Sequence, residues 1–427
     1  MLEDDELLSA VFEAQGQRHQ ESRRLGRHQT PAEVVLRMLL LKHVRNWSYE
    51  TLEREVRANL VCRSFCRIGL EKVPDAKTLV RLGQAVGPEV IGELHARVVA
   101  LAEAKGVVQG RRMRVDTTVV ETNVHYPTDS SLLGDGARVL TRTMKKVAAQ
   151  KRDGLKTKVR DRMRTVKRRV LEIGLAARQK GPQGEERKKA AYRRLLSATR
   201  KIANQARHVI EEISQCRGKV KRLRGQLAGA VTRVGQVIRQ TVARVFRGNT
   251  QYPEKLASIF EPHTEIIRKG KASKPTEFGK MVQIQEAENQ IVTVFEVFEK
   301  RPWDSDLLVP AVDSHQQLFG IVPRLVAADA AFYSKQNEDK LHAEGVRYVA
   351  VPNRNTRSEE RKRLQRRRWF KEGQRWRTGC EGRISVLKRR HGLNRCRYRG
   401  MDGIQRWVGL GVIADNLVNI GNALARA

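Results

Sequence analysis

Arg111-Arg112-Met113-Arg114-Val115-Asp116-Thr117-Thr118-Val119-Val120 is the stretch on which the reading of the fold turns. Its β-branched residues predict a strand. One acid, Asp116, stands inside it among apolar and threonine side chains. An ionised carboxylate in such a setting calls for a cation. A second stretch repeats the theme. Arg324-Leu325-Val326-Ala327-Ala328-Asp329 predicts a short buried strand that closes on an acid. Sites in open α/β sheets gather at the carboxyl ends of strands, where Asp329 falls. Two such acids converging would repel each other, and Mg²⁺ is the usual neutraliser for carboxylates that share a site with phosphate.

Around these strands the pattern alternates. Ser334 to Glu344 predicts a helix stopped by Gly345, and Arg347-Tyr348-Val349-Ala350-Val351 predicts a strand ended by Pro352. A strand, a helix and a second strand imply a right-handed parallel crossover. Glu277 to Gln285 and Ile291 to Phe298 flank Ala287-Glu288-Asn289-Gln290 and predict a hairpin, and Asp306 to Phe319 predicts a helix. The expectation is therefore an α/β fold with a mixed sheet flanked by helices. Upstream, residues 30–105 read as helical. Thr30-Pro31-Ala32-Glu33 predicts a capping box, Asn46 and Trp47 predict a break, and Ser48 predicts a second cap. Two short helices about a tight break are similar to a helix-turn-helix, a DNA-reading device. Cys62 and Cys66 lie four apart, one helix face, and read as buried apolar residues.

The charge narrows the partner. The chain has 427 residues, with 84 Lys and Arg against 47 Asp and Glu, a formal net charge of +37. Such a surplus asks for a polyanion, and nucleic acid is the first candidate. Between Thr141 and Lys180 there are 15 basic residues and three acids. A helix made merely soluble would mix the signs. Apolar residues at three-four spacing (Val159, Met163, Val166, Val170, Ile173) predict long helices with basic outer faces, as do Leu195, Ile202, Val209 and Ile213, and Leu223, Leu227, Val234 and Val237. Asp129 and Asp135 sit in loop-like sequence. The segment 353–371 reads as a basic loop carrying Arg361-Lys362-Arg363 and Arg366-Arg367-Arg368, with Trp369, Phe370 and Trp376 beside it. Five scattered cysteines without a C-x2-C pair exclude a disulfide scaffold and fit a reducing cytoplasm. The acidic start (Glu3, Asp4, Asp5, Glu6) carries no secretory pattern, and no apolar run is long enough for a membrane span.

A third acid lies on a helix expected from about Arg375 to Arg390. Arg377 and Glu381 are four apart, and Lys388 follows seven on, so one face aims an acid and two cations in one direction. With these residues the chain resembles bacterial insertion-sequence transposases of the DDE type, in the IS-four/IS-five superfamily. Arg377, Glu381 and Lys388 fall in the register of that family's Tyr-x2-Arg-x3-Glu-x6-Lys motif, with Gln374 in place of the tyrosine. Val115-Asp116-Thr117-Thr118 resembles its first motif and Ala328-Asp329-Ala330-Ala331-Phe332-Tyr333-Ser334 its second, although Gly is common where Ala330 or Ala331 stands. Asn46-Trp47-Ser48-Tyr49-Glu50-Thr51-Leu52 resembles its helical leader.

The resemblance implies an RNase H-like core. Asp116 would stand on a central strand, Asp329 on the adjacent one and Glu381 on a helix against them. The three would hold two Mg²⁺ ions, with Mn²⁺ as a substitute. Arg377 and Lys388 would contact terminal phosphates, and Arg361, Lys362, Arg363, Arg366, Arg367 and Arg368 would add DNA contacts. The expected organisation is a helical domain at 1–105 for DNA-end binding, core segments at 106–136 and 251–395, a basic helical insertion at 137–250 and a C-terminal helix at 396–427. The expected partners are double-stranded DNA, at element ends and target, and a second copy in a homodimer, with no membrane. Two other readings stay open: a DNA-binding protein derived from a transposase but without catalysis, and an RNase H-like nuclease. His125 and His391 read as ordinary polar or DNA-facing residues.

Overall fold

The computed structural model describes residues 2–17, 30–151, 153–253, 255–268 and 275–426. Its strands in chain order are β1 (Arg112–Glu121), β2 (Glu265–Arg268), β3 (Thr276–Glu286), β4 (Val292–Val297), β5 (Leu325–Ala327) and β6 (Tyr348–Ala350). The chain divides into two compact units: residues 1–123 with 279–427, and residues 124–278. Strand β2 lies in the second.

In the first unit β1 is the centre. Val115, Val119 and Val120 are buried along it. It pairs antiparallel with β3, placing Asp116 opposite Ile284, and parallel with β5. Strand β3 turns back antiparallel into β4 through the expected hairpin, where Asn289 and Gln290 take positive φ. Strands β5 and β6 are parallel, as the crossover required. The order β4-β3-β1-β5-β6 is a mixed sheet, antiparallel on one side of β1 and parallel on the other, as expected for an RNase H-like core.

Helices α1 (Asp5–Gly16), α2 (Ala32–Val44), α3 (Tyr49–Ala58), α4 (Leu60–Phe65), α5 (Ala76–Ala85) and α6 (Pro88–Ala104) precede the sheet. The predicted cap at Thr30 does not form. Pro31 occupies the cap position, so Thr30 falls outside it, and Glu33 instead pairs with Arg37 at 2.8 Å. The break holds: Asn46 takes φ +52°, and Ser48 caps α3 by accepting from the Thr51 amide at 3.1 Å. Cys62 and Cys66 are buried and free, and burial pushes the Cys66 thiol up to about 12.

The second unit holds α7 (Asp129–Gln150), α8 (Met163–Ala176), α9 (Pro182–Glu212) and α10 (Gly218–Arg247). The three-four apolar positions, among them Val166, Ile173, Leu195, Ile202, Leu227 and Val234, close into one core. Two expectations change. Asp129 and Asp135 are not in a loop, because Thr128 and Ser131 form a capping box that starts α7 before them, and both acids are buried. Val159 precedes α8 in a segment pinned by Glu212, whose carboxylate takes Lys151 at 2.8 Å and the amides of Lys156 and Thr157. The Lys151 hydrogen bond, then the amide of Thr157, hold that carboxyl near 2. Outward from this core stand Arg193, Arg194, Arg200, Lys201 and Arg207 on α9 and Lys219, Lys221 and Arg222 on α10.

The chain then returns to the first unit with α11 (Leu308–Phe319), α12 (Lys335–Ala343), α13 (Glu359–Arg366), α14 (Arg368–Arg390) and α15 (Gly400–Leu424). Ser334 caps α12, and Gly345 follows it at φ +98°. The basic run read as a loop is helical. Ser358 caps α13, Glu359 and Glu360 fill its first turn, and Arg363 and Arg366 its last. That charge order complements the helix dipole and overrides the missing apolar periodicity. Helix α14 packs on β1, β5 and β6, and α15 packs on α2 and α6. Among the described residues no helix is long and apolar enough to cross a membrane.

A buried ion pair sets the seat of α14. Arg114 on β1 meets Glu286 on β3, with 5% and 0% of the side chains exposed. The same guanidinium donates to the Trp376 carbonyl and lies 4.8 Å from the Trp376 ring centre. Gly379 leaves room for it, since a Cβ there would collide with the Arg114 guanidinium. Breaking such a pair strands a charge. Arg114→Met is expected to destabilise the fold by about 3–5 kcal/mol, whereas Arg114→Met with Glu286→Met should cost much less than the sum of the single changes. Denaturant unfolding of the four proteins checks this.

Candidate active site

Asp116 projects from the middle of β1, with its side chain 16% exposed. Its Oδ1 accepts from the Thr117 amide at 2.7 Å. Asp329 lies two residues past the end of β5 and caps a short turn, Ala330–Phe332, by accepting from the Ala330 amide. Arg354 stands 3.6 Å from it. Glu381 rises from the middle of α14 and is more exposed.

Two of the three meet at Arg377, one turn before Glu381 on α14. Its Nη2 donates to Glu381 at 2.8 Å, and its Nη1 is 3.7 Å from Asp116. Burial works against its charge. The hydrogen bond to Glu381 and the fields of Glu381, Asp116 and Asp329 outweigh that, and hold the guanidinium above its ordinary value. All three acids thus act on one cation. Its Nε and Nη1 are buried without a hydrogen-bond acceptor among the described residues.

Helix α14 is fixed there from several sides. Gln374 donates to the carbonyls of Ala328, at 3.1 Å, and Ala350, which lie at the carboxyl ends of β5 and β6. This residue stands where the resembled motif has tyrosine. An amide brings two donors, enough to tie the helix to two strands beside Asp329. Gly373 allows the approach, since a Cβ would meet the Ala350 methyl at 2.7 Å.

Residues 4–84 match a family model described as a transposase domain (DUF772), and residues 339–420 match one described as a transposase DDE domain. The chain carries a transposase DDE domain. Such a domain is that of an enzyme that cleaves DNA and transfers strands. No curated protein and no solved structure matches the chain. Of the three acids, Glu381 lies inside the matched DDE segment, and Asp116 and Asp329 precede it.

A divalent ion would find the right donor chemistry around Arg377, namely hard carboxylate oxygens already sharing a positive charge. Among the described residues no group of three His, Cys, Asp or Glu is set to hold a metal ion.

The basic residues of the transposase DDE domain divide. Lys388 lies two turns beyond Glu381 on α14 and is half-buried. Arg363, Arg366, Arg367 and Arg368 are exposed, and Lys362 is half-buried beside Glu359. Arg361 departs from the expected DNA contact. It is 8% exposed, pairs with Glu338 and donates to the Val351 carbonyl, so it ties α13 to α12 and the end of β6. His391 also turns inward, 3.4 Å from the buried Asp415, which Arg383 holds at 2.7 Å. Phe370 is core, while Trp369 and Trp376 are half-buried.

Sequence reasoning passed over Arg114 and Glu286, and met Gln374 only as the residue in place of the motif's tyrosine. Arg114 had a signal, for it stands two positions before Asp116 and so on the same strand face. Nothing in the sequence pairs it with Glu286 across a gap of 172 positions.

Removing the guanidinium should leave the carboxylates without their cation. Arg377→Gln is therefore expected to show a larger Mg²⁺-induced rise in melting temperature than the unaltered chain, read by differential scanning fluorimetry. An unchanged response would mean that the acids do not share one site.

Proposed function

We propose that the chain is a transposase of the IS-four/IS-five kind, which binds the ends of a mobile DNA element, cleaves them and joins the 3′-hydroxyl ends to target DNA. The observation that supports the reading is that Asp116 and Glu381 meet on Arg377, while Asp329 stands just past the end of β5, the strand parallel to β1. Acids from a central strand, its parallel neighbour and a helix packed on both are what a DDE site requires.

In this reading Asp116 and Asp329, with Glu381, would hold Mg²⁺ or Mn²⁺. Bound there, two divalent ions would activate the attacking oxygen and stabilise the leaving 3′-oxygen. Arg377, whose buried Nε and Nη1 lack a hydrogen-bond partner among the described residues, would offer both to a DNA phosphate. Lys388 adds charge further along α14. Gln374, Gly373 and the Arg114–Glu286 pair keep α14 from shifting against β1 and β5, so Glu381 stays in register with the two aspartates. Positioning and charge stabilisation of this kind supply most of the barrier lowering in phosphoryl transfer. The exposed cations of α9, α10 and α13 contact the DNA backbone. The helices of 1–105 bind the element ends, and two copies act together as a homodimer.

The test is a nicking assay on DNA carrying the element ends, with Mg²⁺ or Mn²⁺ against EDTA. Asp116→Asn, Asp329→Asn and Glu381→Gln should each lower cleavage by at least about a thousandfold. DNA affinity should stay within a few-fold and fall steeply with salt. Pre-cut ends bearing a 3′-hydroxyl should join a target plasmid. Full cleavage by Asp329→Asn would sink the site assignment, and cutting without joining would make the chain a nuclease.

A further inference from the structure

A second cationic site lies in the first unit, away from the three acids. Lys42, in the last turn of α2, is 2% exposed. Its ammonium lies 4.9 Å from the ring centre of Tyr49, 5.0 Å from that of Tyr398 and 4.5 Å from that of Trp407. Among the described residues no carboxylate pairs with it and no acceptor takes a hydrogen bond from it. The ring faces and the carbonyl end of α2 offset part of the burial. Burial first, and then the charge of Arg397, push its amine down to about 7. Glu50 acts on it only through its field and forms no ion pair with it.

Lys42 lines a cavity of about 450 Å³ together with Tyr49, Glu50, Arg397, Tyr398, Arg399 and Arg406, among others. Four cations there meet one carboxylate. The walls are held in place: Arg406 donates to the Gly83 carbonyl, and Arg397 to that of Asn46 at 3.4 Å. The hydroxyls of Tyr49 and Tyr398 are 2.7 Å apart. One hydroxyl hydrogen lies between them and the other is left to donate. Every lining residue falls within one of the two matched segments, 4–84 or 339–420, so the cavity sits at their seam.

We propose that this cavity is a phosphate-binding site, and that the phosphate belongs to a DNA strand. A phosphate oxygen would take Lys42 and the spare tyrosine hydroxyl, and the arginines at the rim would take the others. The cavity is large enough for a nucleotide and too large for one bare anion. Binding there would join α2 and α3 to the segment that follows the Glu381 helix, so DNA held by the N-terminal helices also loads α15. DNA as the source of the phosphate rests on the function proposed above; the anion site does not.

The test uses the full chain and two probes. Inorganic pyrophosphate should raise the melting temperature of the unaltered chain and of Glu381→Gln, relative to sodium chloride at equal ionic strength. The rise should shrink in Lys42→Met and in Arg399→Ala, the second being an exposed change that spares the fold. An equal rise in all four proteins would overturn the site, because a diffuse basic surface gives that result. With duplex DNA, Lys42→Met should weaken binding by at least about tenfold, the loss of one charged hydrogen bond. Loss of the pyrophosphate response with unchanged DNA affinity would overturn the assignment of the phosphate to DNA.

Discussion

The Arg114 guanidinium, buried against Glu286, is the contact on which the rest depends. It lies under the ring and carbonyl of Trp376 and beside the bare backbone of Gly379, so it joins β1, β3 and α14 at one point. Burial pushes the Glu286 carboxyl up, against the pull of the Arg114 hydrogen bond. The pair persists because each partner would be far more costly alone. Two residues along β1 from this anchor stands Asp116, and one turn beyond Trp376 stands Cys380 with Glu381 next to it. The distance from the anchor to the acids is short enough that little flexibility intervenes.

Above the anchor a second cation organises charge. Arg377 is held by carboxylates from β1 and from its own helix, and Arg354 stands by the carboxylate at the end of β5. Two guanidinium groups thus face three acids, which leaves the cluster with more negative than positive charge. Gln374 supports the arrangement from the strand ends. The site is therefore layered: the buried Arg114–Glu286 pair below, three acids with Arg377 and Arg354 above, and exposed arginines of α13 and the start of α14 nearby in sequence.

Much of this was legible before any coordinates. Both acid-bearing strands, the hairpin, the parallel crossover and the helical bundle follow from β-branched runs, turn residues and three-four spacing. Those signals are local, and local signals survive into the fold. Three kinds of error mark where locality ends. The 353–371 segment lacks an apolar face, and its helix comes from a serine cap and charge order instead. Arg361 looked like one more surface cation, yet Glu338 and the Val351 carbonyl draw it inward. Glu286 and Arg114 reveal their partnership only once the sheet places β1 beside β3. The i, i+4 placement of Arg377 and Glu381 was read from a motif, but the ion pair of Arg377 with Asp116 was not.

The order of the strands along the polypeptide has a consequence for synthesis. Strand β1 emerges early, and both of its neighbours, β3 and β5, are made only after the whole basic bundle. A ribosome-bound chain therefore exposes its cationic helices while the acidic centre is still half built. Asp329 and Glu381 are made last, whereas the basic helices are made first. A translation product halted after α10 would carry those helices and Asp116 without the other two acids.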